Sequence, residues 1–252
     1  MKKVLIPLVA LGAALPSYGT IILDFSNFDP NTSVVTSGGF DTVSYGIVAN
    51  DGTSDIYARL VSSEPATNYS GTSSNTGITL AKNDSITFTL SLYQDASYTN
   101  LYNPVASYDW SLMFADIEGG GSNGAHEKLT IATPGTYTLA DNNFLSVTTD
   151  ANGTTFSAQG QSTIANPQPG DTELTTTQAQ GAVQYNITDL SQVTFTYAAI
   201  NSNRTAYVYG GSLTFADGTP TTTTTVTTAV PEPSSTALLG LGGLALIMRR
   251  RK

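Results

Sequence analysis

The sequence predicts an all-β protein, an antiparallel β-sandwich or jelly roll, from three observations. Apolar and polar residues alternate with a period of two in several runs, of which residues 84–93 are the clearest. Gly, Asn and Asp punctuate these runs, as at Asp51-Gly52 and Asn152-Gly153, which favour hairpin turns. No long run in the central region keeps the helical period. Many short strands separated by turns are typical of sandwiches and jelly rolls.

Each predicted strand is defined by the side chains that alternate in it. Residues 84–93 place four apolar side chains on one face and Ser or Thr on the other. Residues 105–114 and 193–197 repeat this pattern, and two further apolar pairs continue it after residue 206. The apolar side chains that alternate in these runs are Ile86, Phe88, Leu90, Leu92, Tyr108, Trp110, Leu112, Val193, Phe195, Tyr197, Tyr207, Tyr209, Leu213 and Phe215.

The charged residues restrict the chemistry available to the chain. Its 252 residues include 19 acidic and 10 basic side chains, one His and no Cys, with a net charge of −9. The missing Cys excludes disulfides, thiolate metal sites and cysteine nucleophiles, and one His excludes multi-His metal sites. The acidic balance argues against nucleic acid as a partner, because phosphate binding needs basic clusters.

The N-terminus has the layout of a signal peptide. Lys2 and Lys3 precede an apolar stretch over residues 4–15, and small residues follow it. This order predicts a signal peptide with a helical apolar region over residues 1–19, with Ser17 and Gly19 as the small residues that direct cleavage. A buried N-terminal helix is the alternative.

The C-terminus combines a Pro-rich motif, an apolar helix and a basic tail. Pro231, Glu232 and Pro233 precede the apolar residues 234–248, and the chain ends in Arg249, Arg250, Arg251 and Lys252. The apolar part is shorter than the ~20 residues that a stable spanning helix needs. The basic tail is expected to stay on the cytoplasmic side of a membrane, which leaves the rest of the chain outside.

These features, in this order, resemble a PEP-CTERM sorting signal over residues 230–252. The resemblance implies recognition by an exosortase-type membrane protease, which would remove the tail near the Pro-Glu-Pro motif. It also implies transient anchoring in the inner membrane of a Gram-negative bacterium that makes an exopolysaccharide. A permanent C-terminal membrane anchor is the alternative.

Between the two terminal segments the sequence predicts one domain and one linker. Residues 20–216 form the predicted β-sandwich domain, and residues 217–229 form a Thr-rich linker with too little apolar surface for a core. The strands around residues 85–93, Trp110 and 193–209 resemble a concanavalin A-like (laminin G-like) sandwich. Gly210-Gly211 departs from the Asn-Gly that often follows in that family. The resemblance implies a jelly roll that often binds glycans, sometimes through calcium.

Asp116 and Glu118 are the best catalytic candidates. On a strand, these carboxylates would point to one face about 7 Å apart, a spacing that suits glycoside hydrolysis. Residues 119–121 are all Gly, which favours instead a strand that runs into a solvated turn. His126-Glu127 is the next candidate, but no nucleophile-elbow pattern surrounds Ser122, the Ser nearby in sequence. We therefore predict no catalytic residues, and a secreted glycan-active hydrolase remains the alternative function.

Calcium is the one metal whose ligands the loops offer in quantity. The candidate ligands are Asp51, Asp55, Asp141, Asn142, Asn143, Asp150 and Asn152. Oxygen ligands of this kind suit calcium, but none follows the spacing of an EF-hand. Turn formation through side-chain hydrogen bonds is the alternative role of these residues. The sequence predicts no cofactor and leaves a structural calcium open.

Tyr98, Tyr102 and Tyr108 cluster around a loop. Exposed Tyr rings can stack on sugars while their hydroxyls bond to sugar hydroxyls. Packing at the ends of strands is the alternative, and it is the one that we favour. Trp110 stands on an apolar strand face and is predicted to lie in the core.

The predicted function is that of an exported, non-enzymatic protein of the cell surface or extracellular matrix, with a structural, adhesive or glycan-binding role. Residues 20–230 hold four basic and 18 acidic side chains, a formal charge of −14. Such a body is expected to repel anionic polymers unless divalent cations bridge them. Its average charge therefore favours neutral extracellular polysaccharides or calcium-mediated contacts.

Overall fold

The structure is a computed structural model that describes residues 19–226, except 72–74, 104–106, 121–123, 159–163, 165 and 169–170. Ser17, the predicted signal helix, the C-terminal hydrophobic helix and the sorting segment lie outside the described residues. Among the residues that are described, no helix is long and apolar enough to cross a membrane.

Two eight-stranded sheets confirm the predicted all-β sandwich. The strands of sheet I are β1 (Gly19–Ile21), β5 (Asn68–Ser70), β6 (Asn75–Leu80), β8 (Tyr108–Ala115), β10 (Gly135–Ala140), β14 (Val183–Thr188), β16 (Arg204–Tyr209) and β18 (Thr221–Val226). Their order is β18-β10-β14-β8-β16-β6-β5, and β1 pairs in parallel with β8. The other pairs of this sheet are antiparallel.

Sheet II is antiparallel throughout. Its strands are β2 (Val34–Ser37), β3 (Phe40–Asn50), β4 (Asp55–Ser62), β7 (Ser85–Tyr93), β9 (His126–Ile131), β11 (Leu145–Asp150), β12 (Gly153–Ala158) and β15 (Gln192–Ile200). Their order is β11-β12-β9-β15-β7-β4-β3-β2. A short parallel pair, β13 (Glu173–Leu174) with β17 (Thr214–Phe215), and a 3₁₀ helix over Gln178–Gly181 complete the described elements.

The main core lies between the sheets, where the alternating side chains meet. The four apolar side chains predicted to face inward from β7 are at most 1% exposed, as the alternation requires. Phe114 of sheet I meets Phe195 of sheet II edge to face, with ring centroids 5.0 Å apart. Trp110 is 1% exposed and its indole N–H donates to the Leu190 carbonyl at 2.6 Å, which confirms its predicted core position.

A second hydrophobic cluster covers part of the outer side of sheet I. Met113, Tyr209, Leu174 and Leu213 belong to it, because the segments around β13 and β17 fold back over this sheet. Tyr207 and Tyr209 alternate as predicted and lie on the side of this outer cluster, whereas the neighbouring side chains at positions 206 and 208 point to the main core. The outer side of sheet II has no comparable cluster among the described residues, and most of its side chains are half-exposed.

The end of the predicted Thr-rich linker is part of the fold. Thr221–Val226 form β18, which pairs with β10 over six residue pairs at the edge of sheet I. The Thr223 and Thr138 hydroxyls are hydrogen-bonded at 2.9 Å. Little apolar surface is needed here, because an existing strand edge supplies backbone partners and β-branched residues suit an extended chain. Only Val226 is buried.

The register of sheet I brings its first and last strands to the same end. Ser111, Asn186, Thr136 and Thr225 form one continuous row across β8, β14, β10 and β18. The partner of Ile21 is Trp110, which precedes Ser111 by one residue. The start of β1 and the end of β18 therefore lie at the end of sheet I where β8 starts, on either side of β8.

Glycines act at a turn and at a crossing of two segments. Gly52 has φ +87° in the loop of the β3–β4 hairpin, as its turn prediction requires. At Gly210, a Cβ atom would come within 2.1 Å of the Leu23 carbonyl oxygen. The Gly-Gly pair after β16 thus lets the chain near Leu23 pass close to sheet I.

Candidate functional site

Asp116 and Glu118 lie in neither of the surroundings considered from the sequence. β8 ends at Ala115, and Asp116 adopts φ +67°, so the strand alternation stops before the two carboxylates. Both residues are buried, with 6% and 7% of their surface exposed. They therefore neither line an open groove nor stand in a solvated turn.

Glu118 is the centre of a buried polar network. Its carboxylate accepts from Arg204 Nη1 at 3.3 Å and from the Ile164 N–H at 2.7 Å. Its own N–H donates to Glu127 Oε2 at 2.7 Å. Arg204 also donates to the Gly120 carbonyl at 3.2 Å. These bonds join β16, the start of β9 and two loops at one end of the sandwich.

Burial changes the protonation of the other two acids in this network. It raises the pKa of Asp116 to about 8; the Glu118 charge raises this pKa further and Arg204 lowers it. With its amide nitrogen turned toward the carboxylate, Asn166 donates to both Asp116 oxygens, at 2.7 and 2.8 Å. Burial also raises the pKa of Glu127 well above its usual range. At neutral pH the network therefore holds fewer charges than its three carboxyl groups suggest.

We expect the stability of the protein to fall as pH rises from about 4 to about 8. Asp116 binds its proton more tightly in the folded state than in the unfolded state, so folding is favoured at lower pH. One such proton gives a slope approaching about 1.4 kcal/mol per pH unit. Urea unfolding between pH 5 and 8.5 measures it.

The matched variant is Asp116→Asn, because Asn tolerates the positive φ of this position and does not titrate. Its slope should be flatter than that of the natural chain. An unchanged slope would show that Asp116 does not carry the effect.

The remaining catalytic and calcium candidates serve local structure. His126 begins β9, and its Nδ1 lies 2.8 Å from the Gly124 carbonyl. Asp51 accepts from the N–H groups of Ser54 and Thr53, which lower its pKa. Within the described residues, no group of three or more His, Asp or Glu side chains is arranged to hold a metal ion.

The other proposed calcium ligands also bond within turns or to neighbouring strands. Asp55 accepts from the Asn50 amide at 2.8 Å. Asp150 accepts from the Asn152 N–H at 2.7 Å, and Asp141 accepts from the Thr222 hydroxyl at 2.7 Å. These are the turn and edge contacts that the sequence offered as the alternative.

The predicted tyrosine cluster is divided between the core and the surface. Tyr102 and Tyr108 are buried and pack edge to face, with ring centroids 5.0 Å apart. Tyr98 is half-buried on sheet II, where its hydroxyl accepts from the Gly46 N–H at 3.1 Å. Packing therefore accounts for two of the three rings, and Tyr98 belongs to a different group.

Tyr98 belongs to an arginine–tyrosine cluster on the outer side of sheet II. Arg59 contacts the rings of both Tyr93 and Tyr98, with its guanidinium carbon 5.2 and 5.3 Å from their centroids. Arg59 Nη2 also donates to the Tyr93 hydroxyl at 3.2 Å. Tyr57 packs edge to face against Tyr98. Sequence reasoning missed Arg59, because a lone Arg in a strand has no distinguishing pattern.

A row of threonines crosses the same side of sheet II. We call it the threonine row: Thr148, Thr155, Thr130, Thr196 and Thr87, which are cross-strand partners in turn from β11 to β7. The hydroxyls of Thr130 and Thr155, and those of Thr196 and Thr87, are hydrogen-bonded at 2.8 Å. Four strand spacings give the row a length of about 19 Å.

The arginine–tyrosine cluster and the threonine row lie on one surface, the outer face of sheet II. Between them, Thr89 and Thr194 form another hydroxyl pair at 3.2 Å, and Gln192 donates to Ser91 at 2.8 Å. The face thus combines two half-buried Tyr rings with an ordered array of hydroxyl groups. It is the candidate binding surface of the molecule.

The C-terminal end of the chain, beyond the described domain, matches a known sorting motif. Residues 229–252 match the family described as the PEP-CTERM protein-sorting motif. The chain carries a PEP-CTERM sorting signal. The match includes Pro231, Glu232 and Pro233 together with the basic residues 249–252. The PEP-CTERM tail marks the chain as an exported protein.

Comparisons of the domain find likenesses of fold. The adhesin domain of PrgB from Enterococcus faecalis bound to DNA is 12% identical at a TM-score of 0.43, over 71% of this chain and 70% of that one. The N-terminal domain of the Streptococcus gordonii adhesin Sgo0707 is 11% identical at a TM-score of 0.46, over 77% and 66%. The glucan binding protein C of Streptococcus mutans is 12% identical at a TM-score of 0.40, over 79% and 65%. None of the curated protein sequences compared with the chain resembles it.

Proposed function

We propose that this exported protein is a non-enzymatic glycan-binding protein of the cell surface or extracellular matrix. Its outer face of sheet II would lie against a polysaccharide of that matrix. The threonine row supports this proposal best, because it presents five hydroxyl side chains in register, each half-exposed or exposed, on the outer face of sheet II.

The chemistry of the face suits sugars. A Thr hydroxyl both donates and accepts hydrogen bonds, as sugar hydroxyls do. The half-buried rings of Tyr57 and Tyr98 offer apolar surface for the C–H faces of a sugar ring. Because the hydroxyl pairs are already held by cross-strand bonds, little side-chain entropy is lost on binding.

The buried acid network favours a non-enzymatic role. Glycoside hydrolysis needs two carboxyl groups on either side of a bound sugar. Asp116 and Glu118 instead bond to Asn166, Arg204 and Ile164 inside the fold. A hydrolase that used this pair would need the network to open before a substrate could enter.

Sorting would proceed through both ends of the chain. A signal peptidase would cleave after Gly19, with Ser17 as the other small residue of its recognition site. An exosortase-type protease would then act near Pro231-Glu232-Pro233 while the C-terminal segment is held in the inner membrane, with Arg249 to Lys252 on the cytoplasmic side. Replacement of Pro231 and Glu232 should leave the tail attached.

A pair of matched Thr variants tests the binding face. The full chain, purified in mild detergent, is screened against a panel of neutral and acidic polysaccharides, and the affinity for the polymers it binds is measured. Thr87→Val with Thr196→Val removes one hydroxyl pair of the threonine row while keeping the side-chain shape. Two lost hydrogen bonds should weaken binding about tenfold.

The control carries the same change on the other sheet. The Thr79 and Thr205 hydroxyls of sheet I are hydrogen-bonded at 2.7 Å, so Thr79→Val with Thr205→Val removes an equivalent pair. This variant should bind as the natural chain does. Equal losses in both variants, or no binding to any polysaccharide in the panel, would contradict the proposed function.

A further inference from the structure

We propose that the glycan bound by the outer face of sheet II is anionic, a polysaccharide with carboxylate-bearing uronic acid units, and that Arg59 receives a carboxylate. This inference rests on the proposed function and names its ligand class. It departs from the neutral glycan that the average charge of the body favours.

Arg59 has no counter-ion among the residues that the structure describes. Among the described residues the ion pair that forms is Arg204 with Glu118, on the other sheet and in the interior. Arg59 is half-buried, and its guanidinium contacts two Tyr rings and one Tyr hydroxyl. A partly desolvated cation without a carboxylate is unusual in a body that holds 18 acidic side chains.

The acidic side chains on the strands of sheet II are either buried or confined to strand ends. Of the four acids on the strands of sheet II, Asp41 and Glu127 are buried, with 2% and 1% of their surface exposed. Asp55 and Asp150 are the first residue of β4 and the last residue of β11. The outward positions between the strand ends therefore carry no carboxylate.

Two of the four cations of the body stand on the same face. Lys128 is half-exposed on β9, and Arg59 lies three strands away on β4. Because salt screens charges beyond about 8–10 Å at physiological ionic strength, a carboxylate bound at Arg59 senses its guanidinium more than the acids at the strand ends, such as Asp55, which lies four residues away along β4. The formal charge of −14 thus describes the body and not this surface.

The two cations are spaced to contact a polysaccharide chain rather than a single sugar. Arg59 aligns with Ser91 and Gln192, whereas Lys128 aligns with Ala198, six residues further along β15. Strand spacing and rise per residue then separate them by about 14 Å across the sheet and about 20 Å along it. Hydroxyl pairs of the face lie between them, so several sugar units would span the distance.

The test compares each acidic polymer with its own neutral form. Binding of the full chain to alginate, polygalacturonate and hyaluronate is measured beside the methyl-esterified form of each polymer. We expect at least one acidic polymer to bind about tenfold or more tightly than its ester, and this preference should decline as salt is raised.

Variants then assign the preference to Arg59. Arg59→Met should weaken binding of the acidic polymer about 10- to 100-fold, since a charge-assisted hydrogen bond is lost. Arg59→Lys should keep part of the affinity, and Lys82→Met, an exposed cation off this face, should keep all of it. The comparison of acid and ester in the natural chain needs no variant, so it holds even where Arg59→Met folds poorly.

The outcomes separate this inference from the proposed function. Equal binding of acid and ester forms, with Arg59→Met unaffected, overturns the anionic ligand while the result of the threonine variants stands. If the protein binds neither form of any of these polymers and also binds no neutral polysaccharide of the panel, the proposed function is overturned as well.

Discussion

Replacing Arg204 with Met is expected to destabilise the fold by about 3–5 kcal/mol at neutral pH, because it leaves the buried Glu118 carboxylate without its cation. The guanidinium also donates to the Gly120 carbonyl, so one loop loses a contact. The loss should grow above pH 8, since Arg204 lowers the pKa of Asp116 and favours its ionised form. Urea unfolding followed by the fluorescence of Trp110, the single Trp of the chain, measures the change.

A double variant shows whether the unpaired charge causes the loss. In Arg204→Met with Glu118→Gln, the amide oxygen can still accept from Ile164 and no buried charge remains. Most of the lost stability should return, whereas Lys82→Met should change the unfolding free energy by less than about 0.5 kcal/mol. A double variant as unstable as Arg204→Met would show that packing of the Arg side chain, not its charge, is what matters.

Trp110→Ala is the second substitution with a large expected effect, a loss of about 3–5 kcal/mol. The ring is 1% exposed, and its removal leaves a cavity between the sheets together with an unpaired Leu190 carbonyl. Thermal unfolding, monitored by circular dichroism, measures this loss of stability. Trp110→Phe keeps an aromatic ring in the core, although it loses part of the ring volume and the N–H bond, so its loss of stability should be smaller.

A glycan-binding role for Trp110 predicts a different result. In that case Trp110→Ala would abolish binding while the stability stayed close to that of the natural chain. The buried position of the ring predicts the reverse, with binding reduced only as far as folding is reduced.

Much of the architecture follows from local alternation, which needs no knowledge of neighbouring strands. Ile86, Phe88, Leu90 and Leu92 face the core because every second side chain of a strand points to the same side. Alternation cannot tell which of two faces is covered by a distant segment. Tyr209 is buried on the outer side of sheet I because the chain around β13 and β17 returns to cover it.

The candidate site depends on pairing that no local pattern reveals. The sequence shows Thr87, Thr130 and Thr196 as separate outward residues, more than 40 positions apart. The register between four pairs of strands turns them into a row. In the same way, β18 is unremarkable as a Thr tract and becomes a strand only because β10 offers an unpaired edge. The strand alternation does not extend to Asp116, because the left-handed backbone of this residue ends it.

β1 begins and β18 ends at the same end of the sandwich. The start of β1 and the end of β18 lie on either side of the start of β8, about four strand spacings or 19 Å apart. Only residues 227–230 separate β18 from Pro231, a reach of at most about 14 Å. If the sorting segment is held in a membrane as we propose, so short a connection would keep this end of the sandwich toward the bilayer. The acid network, which follows the end of β8, would then point away from the lipid, and the outer face of sheet II would be turned sideways, toward neighbouring molecules.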